Sequence, residues 1–594
     1  MPRRGYRFIA PVDKVPKPAV TEDDANSVAI VEFKNLTGDP EAAWLGSAIA
    51  QTVTVDLQKL TGLRVLSAEK TVLAISRLGV DRVSEKEIPL LKDALPATWI
   101  VWGGYQKIGV RIRITAHFSR TATGDSMGSI KADGTLEDIF YLEDQIVAGL
   151  LDVLSISLSD AEKRKIEKPE TTSVQAYEYY VRGRQQLNQF GKASLERAKD
   201  LFEKAIAIHP HYALANSGLG SAYMFRYIAS VDPRELEIGI GHLQKAIKED
   251  PELADAYTWL TYAYARSRRY NDALETGKRA IELDPRSYMA YYLLGCVYCF
   301  RAALEYRSSL FSDAIAEFQK SIAAEPNYPW SHLHLGWMSM QRGQYAAAKK
   351  YFEDAITIQD SAAALKAGPR FYGARTLRAV LSFREGQASQ AEELHRHSLA
   401  ELGQSDHVYR EVLMAISYCG LGDVAFQNAL YQEALQQFRM AEDLLSSLTH
   451  LGGGHVLIQT LLRQCQASIA LDRIESAHRC LDRARDLLAH KQGFDFGFMW
   501  EAWDAQSYYD LAICQALLGK SDDALTFLTK AIACGWRDHQ FLNTDLRLST
   551  LRDTPEFRDL IRAVSDESST WSGAPPFEFE RQINSHVSIA NGIE

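Results

Sequence analysis

The chain has 594 residues, 46% of them hydrophobic and 24% charged, with a net charge of −10 and seven cysteines. That length exceeds one ordinary hydrophobic core, the composition excludes wholesale disorder, and the acidic balance excludes a nucleic-acid-binding surface spread over the whole molecule. The odd, scattered cysteines are not a secreted disulfide framework and no apolar run is long enough to span a bilayer, so the cytoplasm is the expected compartment.

Residues 1–26 open basic, pass through Val15-Pro-Lys-Pro18 and end acidic at Thr21-Glu-Asp-Asp24, the pattern of an extended linker. Residues 27–160 mix strand and helix signals. Ser27-Val-Ala-Ile-Val-Glu-Phe33 is a β-branched strand, Asn35-Leu-Thr-Gly-Asp-Pro40 a turn, and Asp39 a candidate cap for a helix from about Glu41 to Leu60. A short strand at Leu63–Leu66 and one or two helices up to Leu95 follow. Trp99 to Tyr105 reads as a strand, Lys107-Ile-Gly109 as a hairpin turn, and Val110 to Phe118 alternates apolar and polar residues like a strand with one buried face. Gly103-Gly104, at a strand end, implies close packing or a bulge. A strand at Met127–Ala132 and a helix at Leu136–Leu158 complete the order βαβαβββα, one sheet covered by helices.

From Val174 to Ala563 the pattern is helical and repetitive. Pro251 and Pro285 stand 34 positions apart, each after the second helix of a pair, and enclose Tyr257, Leu260, Tyr264, Ala273 and Ala280. Leu219-Gly220 with Tyr223, Leu294-Gly295 with Tyr298, and Leu335-Gly336 with Ala348, Phe352 and Ala355 repeat the motif; Ala379/Ala391, Cys465/Ala477 and Ala512/Ala524 continue it more loosely. Gly220, Gly295, Gly336, Ala273 and Ala348 are expected to let paired helices approach, and Tyr223, Tyr264, Tyr298, Phe318 and Phe352 to fill the space between neighbouring pairs. One pair cannot bury its apolar face alone, so about nine pairs must stack. This spacing resembles the tetratricopeptide repeat (TPR), which implies an all-α superhelix (a solenoid) that binds other proteins or peptides. The expected fold is therefore multidomain: a small α/β domain, then the TPR solenoid over 174–563, then a flexible tail over 564–594.

Two further resemblances bear on function. Ser27 to Pro40, Gly62-Leu-Arg-Val65, Val101-Trp-Gly-Gly-Tyr105, Val110 to Thr115 and Leu136-Glu-Asp-Ile-Phe140 resemble the TolB-amino-terminal-like domain that accompanies TPR arrays in bacterial regulators and in some cyclase-like and kinase-like proteins; the resemblance implies no catalysis. Pro2-Arg-Arg-Gly-Tyr-Arg-Phe-Ile-Ala-Pro11 resembles the last wing strand of OmpR/ToxR-type winged-helix DNA-binding domains. Ten residues cannot read a major groove. Either the native chain extends upstream, the favoured alternative, or the DNA-binding half has been lost. Arg3, Arg4 and Arg7 could contact phosphates only within a complete winged helix; otherwise they form a basic tail.

The chemical candidates are weaker than their bland readings. Cys296-x-x-Cys299 lies within a repeat helix and lacks a second metal-binding pair. The histidine pairs at 209/211, 332/334 and 395/397 are spaced two apart, which points them to different helix faces. Gly452-Gly-Gly454 has neither a preceding strand nor a following Lys-Ser/Thr. No catalytic constellation, metal site or cofactor site is expected. The expected functional surface is the concave side of the array, with Trp259, Tyr262, Arg266, Tyr292, Trp330, His334, Trp337 and Gln341 exposed as a partner-binding groove. Together these readings predict a non-enzymatic interaction scaffold, acting as the sensor and effector part of a bacterial transcriptional regulator. A stand-alone TPR adaptor with no DNA role is the alternative.

Overall fold

A computed structural model describes residues 27–570, apart from 59, 61–62, 67–70, 72–74, 76–82, 93–94, 96, 160–170, 231, 306–308, 364–371, 447–453, 490–502 and 535. The wing-like segment with Arg3, Arg4 and Arg7, the linker, Gly452, Gly453 and the tail beyond 570 lie outside the described residues. The chain divides into two compact units, Met1–Pro169 and Glu170–Glu594.

In the first unit, strands β1 (Ser27–Ile30), β2 (Lys34–Asn35), β3 (Arg64–Val65), β4 (Trp99–Ile108), β5 (Arg111–Arg120) and β6 (Ser126–Thr135) form one sheet. Its order is β3-β1-β4-β5-β6, with β2 pairing farther along β4. β1 runs parallel to β3 and β4, whereas β4, β5 and β6 are antiparallel. Helices α1 (Trp44–Gln58), α2 (Ile88–Leu91) and α3 (Ile139–Leu154) belong to the same unit.

The alternation expected in β5 is present: Ile112, Ile114, Ala116 and Phe118 are buried while Arg111 and Arg113 are exposed. The strand expected over Ser27–Phe33 ends earlier, because the chain leaves the ladder there and Phe33 N–H donates to the carbonyl of Gly46 (3.2 Å). The Phe33 ring then lies over Gly103, where a Cβ would meet it at 3.0 Å and the Thr115 carbonyl closer still. Close approach, rather than a bulge, accounts for that glycine. The β4–β5 turn is Gly109-Val110, one residue later than expected, with Gly109 at φ +61° and Ile108 paired to Arg111. Asp39 accepts from Glu41 N–H (3.0 Å) and caps a short 3₁₀ turn ahead of α1.

In the second unit the described residues hold nine helix pairs. They are α4/α5 (Val174–Leu187, Lys192–Ile208), α6/α7 (Ala213–Ser230, Pro233–Glu249), α8/α9 (Ala254–Arg266, Tyr270–Leu283), α10/α11 (Tyr288–Glu305, Ser309–Ala324) and α12/α13 (Pro329–Gln341, Tyr345–Ala363). Then come α14/α15 (Ala374–Arg384, Ala388–Gly403), α16/α17 (Arg410–Gln427, Tyr431–Ser446), α18/α19 (Gly454–Ala470, Ile474–Ala489) and α20/α21 (Trp503–Leu517, Ser521–Ala533). Short α22 (His539–Thr544), a 3₁₀ turn (Leu546–Leu551) and α23 (Pro555–Thr570) follow, the last running past residue 563.

Two local devices recur. The turn inside a pair carries one left-handed residue, as at Gly343, Gly386, Gly519, Ala429 and Asp472. There the next N–H reaches back to a carbonyl of the last helical turn, as Gln344 N to Ser339 O (2.9 Å) and Leu430 N to Ala425 O (2.9 Å). The second device is a ring seated on a glycine. Phe318 and Phe352 each lie on the glycine of their own pair, where a Cβ on Gly295 or Gly336 would meet the ring at 2.7 Å or 2.6 Å, and Phe318 also packs on His334 of the next pair, 5.0 Å between centroids. Phe438 covers Gly422 in the same way. Ala273 and Ala348 are fully buried, Tyr264 is buried, and Tyr223 and Tyr298 are half-buried. A Cβ on Gly220 would meet Leu243 at 2.6 Å, again within a pair.

Candidate binding site inside the repeat array

The expected groove is not an exposed surface. Trp259, Tyr262, Arg266, His334, Trp337 and Gln341 are buried, and Tyr292 and Trp330 are half-buried. Trp259 meets Phe225 edge-on (4.8 Å between centroids), and the Arg266 guanidinium sits between the rings of Tyr227 (5.4 Å) and Phe300 (5.3 Å) and over Tyr262. His334 Nδ1 lies 2.9 Å from the Trp330 carbonyl and its ring packs on Phe318 and Tyr292. Burial pushes the Tyr292 phenol well above its ordinary value.

Neighbouring repeats cover Trp259, Tyr262 and Arg266, and at Trp330 early and late repeats meet across the interior. Gly191 bridges to His407, Lys192 Nζ reaches Glu411 at 2.9 Å across 219 positions, and Phe190 packs against Trp330 and His407. Four helix pairs along, Gln540 donates to the Gly343 carbonyl (3.0 Å) and Tyr345 donates to Asp538 (2.8 Å). Residues that would line an open groove in a shorter array become core here.

Beside Trp337 the packing is incomplete and leaves a cavity of about 80 Å³. Three consecutive first helices each present a stripe spaced i, i+3, i+7 to it: Leu377, Val380 and Arg384 on α14; Ile416, Cys419 and Asp423 on α16; Val456, Gln459 and Arg463 on α18. Phe383, His395, Gln506, Phe541 and Arg547 close the walls. The last stripe positions are thus Arg, Asp, Arg in successive repeats.

The charges interlock. Arg384 donates to Asp538 (2.8 Å) and Gln506 (3.2 Å), and Gln506 donates to Asp510 (3.1 Å). Arg463 Nε faces both oxygens of Asp423 at 3.0 Å, and its Nη1 stands 3.5 Å from Asp510. Arg547 grips Asp545 and donates to Gln466 (3.0 Å), while Tyr509 donates to Asp545 (2.9 Å). Burial pushes the Asp510 carboxyl up to about 6 against the pull of Arg463 and Arg547. Burial also raises Asp545, but Arg547 beside it more than offsets this and holds it low.

Two polar groups in the walls lack hydrogen bonds among the described residues. His395 is fully buried with both ring nitrogens unpaired, and burial drives it down to about 3, so it is neutral. It occupies the position that Phe352 and Phe438 hold in other pairs, sixteen residues after Ala379, and it presses on Gly420. Gln459 Nε2 is the second such group.

Sequence reasoning passed over this site. It was visible as Arg384, Asp423, Arg463 and Asp510 standing in first helices otherwise rich in small and apolar residues, a placement that demands partners inside a solenoid. Cys296 and Cys299 are buried. Among the described residues no group of three or more His, Cys, Asp and Glu side chains is arranged to hold a metal ion. No helix among them is long and apolar enough to cross a membrane.

Comparison with known proteins agrees with the repeat spacing. Residues 234–295 and 331–361 match two family models, each described as tetratricopeptide repeat. The chain carries TPR repeats, which supports a protein–protein interaction scaffold. A stretch of 250 residues is 26% identical to "Putative adenylate cyclase 3" of Rhizobium meliloti (strain 1021), covering 42% of this chain and 41% of that relative's length. The type IV pilus biogenesis factor PilW is similar over 41% of this chain and 96% of its own, at 16% identity and a TM-score of 0.31. A chain of the APC/C hetero-tetramer Cut9–Hcn1 is similar over 72% and 76%, at 15% identity and a TM-score of 0.38.

Proposed function

We propose that this TPR scaffold is the sensing and protein-binding part of a bacterial transcriptional regulator. The observation that carries the reading is Gly5-Tyr-Arg-Phe8, with its flanking Arg3, Arg4 and Pro11, ahead of an α/β unit and a repeat array. A partner or ligand that prefers one arrangement of the repeats would shift the population of that arrangement, and with it the pairing of attached DNA-binding domains. Because the interior is filled, partner proteins dock on outward-facing helix surfaces rather than on Trp259, Tyr262 or Trp330.

A second reading has its own support: the similarity to a cyclase relative favours a scaffold that serves nucleotide signalling and has no DNA role. One experiment separates the two. The native protein is isolated from its own cells, its intact mass measured, and the same sample assayed for sequence-selective DNA capture and for conversion of ATP to cyclic AMP. DNA capture by a species longer by one small domain supports the first reading. Cyclic AMP formation without DNA capture overturns it in favour of the second, and inactivity in both assays leaves an adaptor.

A further inference from the structure

The cavity beside Trp337 has the features of a small-molecule site rather than a packing fault. An empty packing fault is apolar and stays dry. This one is walled by Arg384, Arg463 and Asp423 and is bordered by both ring nitrogens of His395 and by Gln459 Nε2, which have no hydrogen-bond partner among the described residues. Leaving such groups unpaired is unfavourable, so the site is completed by something that supplies both acceptors and donors.

The charges narrow the chemistry. Three guanidinium groups (Arg384, Arg463, Arg547) stand against four carboxylates (Asp423, Asp510, Asp538, Asp545), an excess of one carboxylate. An anion would add to that excess, and a cation would leave the guanidinium N–H groups without an acceptor. A ligand with no net charge, yet with strong donors and acceptors at opposite ends, would do neither.

Acceptors on the ligand have donors waiting. A guanidinium carries five N–H groups, and neither Arg384 Nε nor Arg463 Nη2 makes a hydrogen bond among the described residues. Gln459 Nε2 adds another. Donors on the ligand have the Asp423 carboxylate and the second nitrogen of the neutral His395. The remaining wall is apolar, with Trp337, Leu377, Ile416, Val456 and Phe541.

We propose that this cavity binds a small zwitterion of the amino-acid type, its carboxylate facing the guanidinium side, its ammonium facing Asp423, and a short apolar side chain against Trp337 and Ile416. The alternating Arg384, Asp423 and Arg463 of three successive repeats form the recognition row. Binding at this place does not depend on which output the protein drives, so it goes beyond the regulatory reading and stands or falls without it.

The test is calorimetric titration of the full chain with each standard amino acid, alongside propionate and butyrate as anions lacking the ammonium and propylamine as a cation lacking the carboxylate. The expected result is saturable one-to-one binding of one or a few small apolar amino acids and none of the single-charge probes. Gln459→Leu, which keeps size and removes the unpaired amide, is expected to weaken binding about ten-fold, and Ile416→Trp to abolish it by filling the space. If Ile416→Trp lowers helicity, Gln459→Leu decides alone. The proposal is overturned if no amino acid binds at roughly millimolar concentration, if propionate or butyrate binds as tightly as any amino acid, or if Gln459→Leu leaves affinity unchanged.

Discussion

Replacing Arg384 by Met cuts the ion pair that ties α14 to residue 538, 154 positions later. Asp538 is fully buried, and burial raises its carboxyl while Arg384 pulls it back down. Without the guanidinium the carboxylate keeps only the Tyr345 hydroxyl (2.8 Å and 3.0 Å) and the Phe541 N–H (3.1 Å). Breaking a buried pair from one side costs about 3–5 kcal/mol, and the contacts that remain place this case near about 3 kcal/mol. A repeat array opens locally, so amide exchange over residues 536–551 is the assay, and about 3 kcal/mol corresponds to roughly 100-fold faster exchange. The sign with pH follows from linkage. In the variant the folded-state carboxyl climbs further above its unfolded value, so the folded form holds a proton more tightly. The penalty is therefore full at neutral pH and shrinks as pH falls toward the ordinary carboxylate range. Measuring variant minus wild type at each pH cancels the titration of other groups. A penalty that is absent, or constant from pH 7.5 to 4.5, would refute the reasoning.

Gly422→Ala places a methyl 2.3 Å from the Phe438 ring and should cost about 1–3 kcal/mol in denaturant unfolding; Phe438→Leu in the same chain should recover part of it. Ala429→Gly relieves a left-handed residue at φ +59° and should raise the melting temperature, worth about 1 kcal/mol. His395 is held near about 3 against an ordinary 6.5, so the unfolded chain takes up the proton first and stability is lost as pH falls below 6.5. His395→Phe should flatten that loss in melting curves across pH 6.5–4, leaving the part due to His407, which burial also drives to about 3. Trp337→Ala should lower stability by about 3 kcal/mol because the ring is core; unchanged melting would return Trp337 to the surface.

The parts of the fold legible in sequence are those set by short spacing. The β5 alternation shows through Ile112, Ile114 and Phe118, and the helix pairing through Gly336 with Phe352, because each depends on neighbours within one element or one pair. Contacts between residues more than a hundred positions apart were not legible. Trp330 reads as a groove aromatic until the chain brings Phe190 against it. The same applies to Arg384 and Asp538: each alone reads as a surface charge, and only closure of the array makes them a buried pair. The apparent looseness of the repeats past residue 360 has a similar origin. His395 in place of Phe and Ala379 in place of Gly weaken the motif there, and His395 borders the polar cavity.

Filling the interior also changes what a repeat array of this kind can do. In an open solenoid the first helices grip a peptide, and affinity comes from aromatic residues along the concave face. Here those residues already contribute stability: Trp259, Tyr262 and Arg266 are spent on Phe225, Tyr227 and Phe300. Displacing them for a peptide would expose most of that packing, a cost of several kcal/mol by the transfer of their apolar area alone. The exposed large apolar side chains among the described repeat residues, Ile208, Ile238, Leu430, Met440, Ile474 and Leu546, lie on α5, α7, the α16–α17 turn, α17, α19 and the final 3₁₀ turn, away from the first helices of the pairs. On the proposed reading, recognition of another protein falls to the second helices and turns. The interior, where Arg384 and Tyr345 meet Asp538, is left to set how tightly the end of the array is held. A ligand seated beside Arg384 would act on that closure directly, and the outward helices would carry the change to a partner.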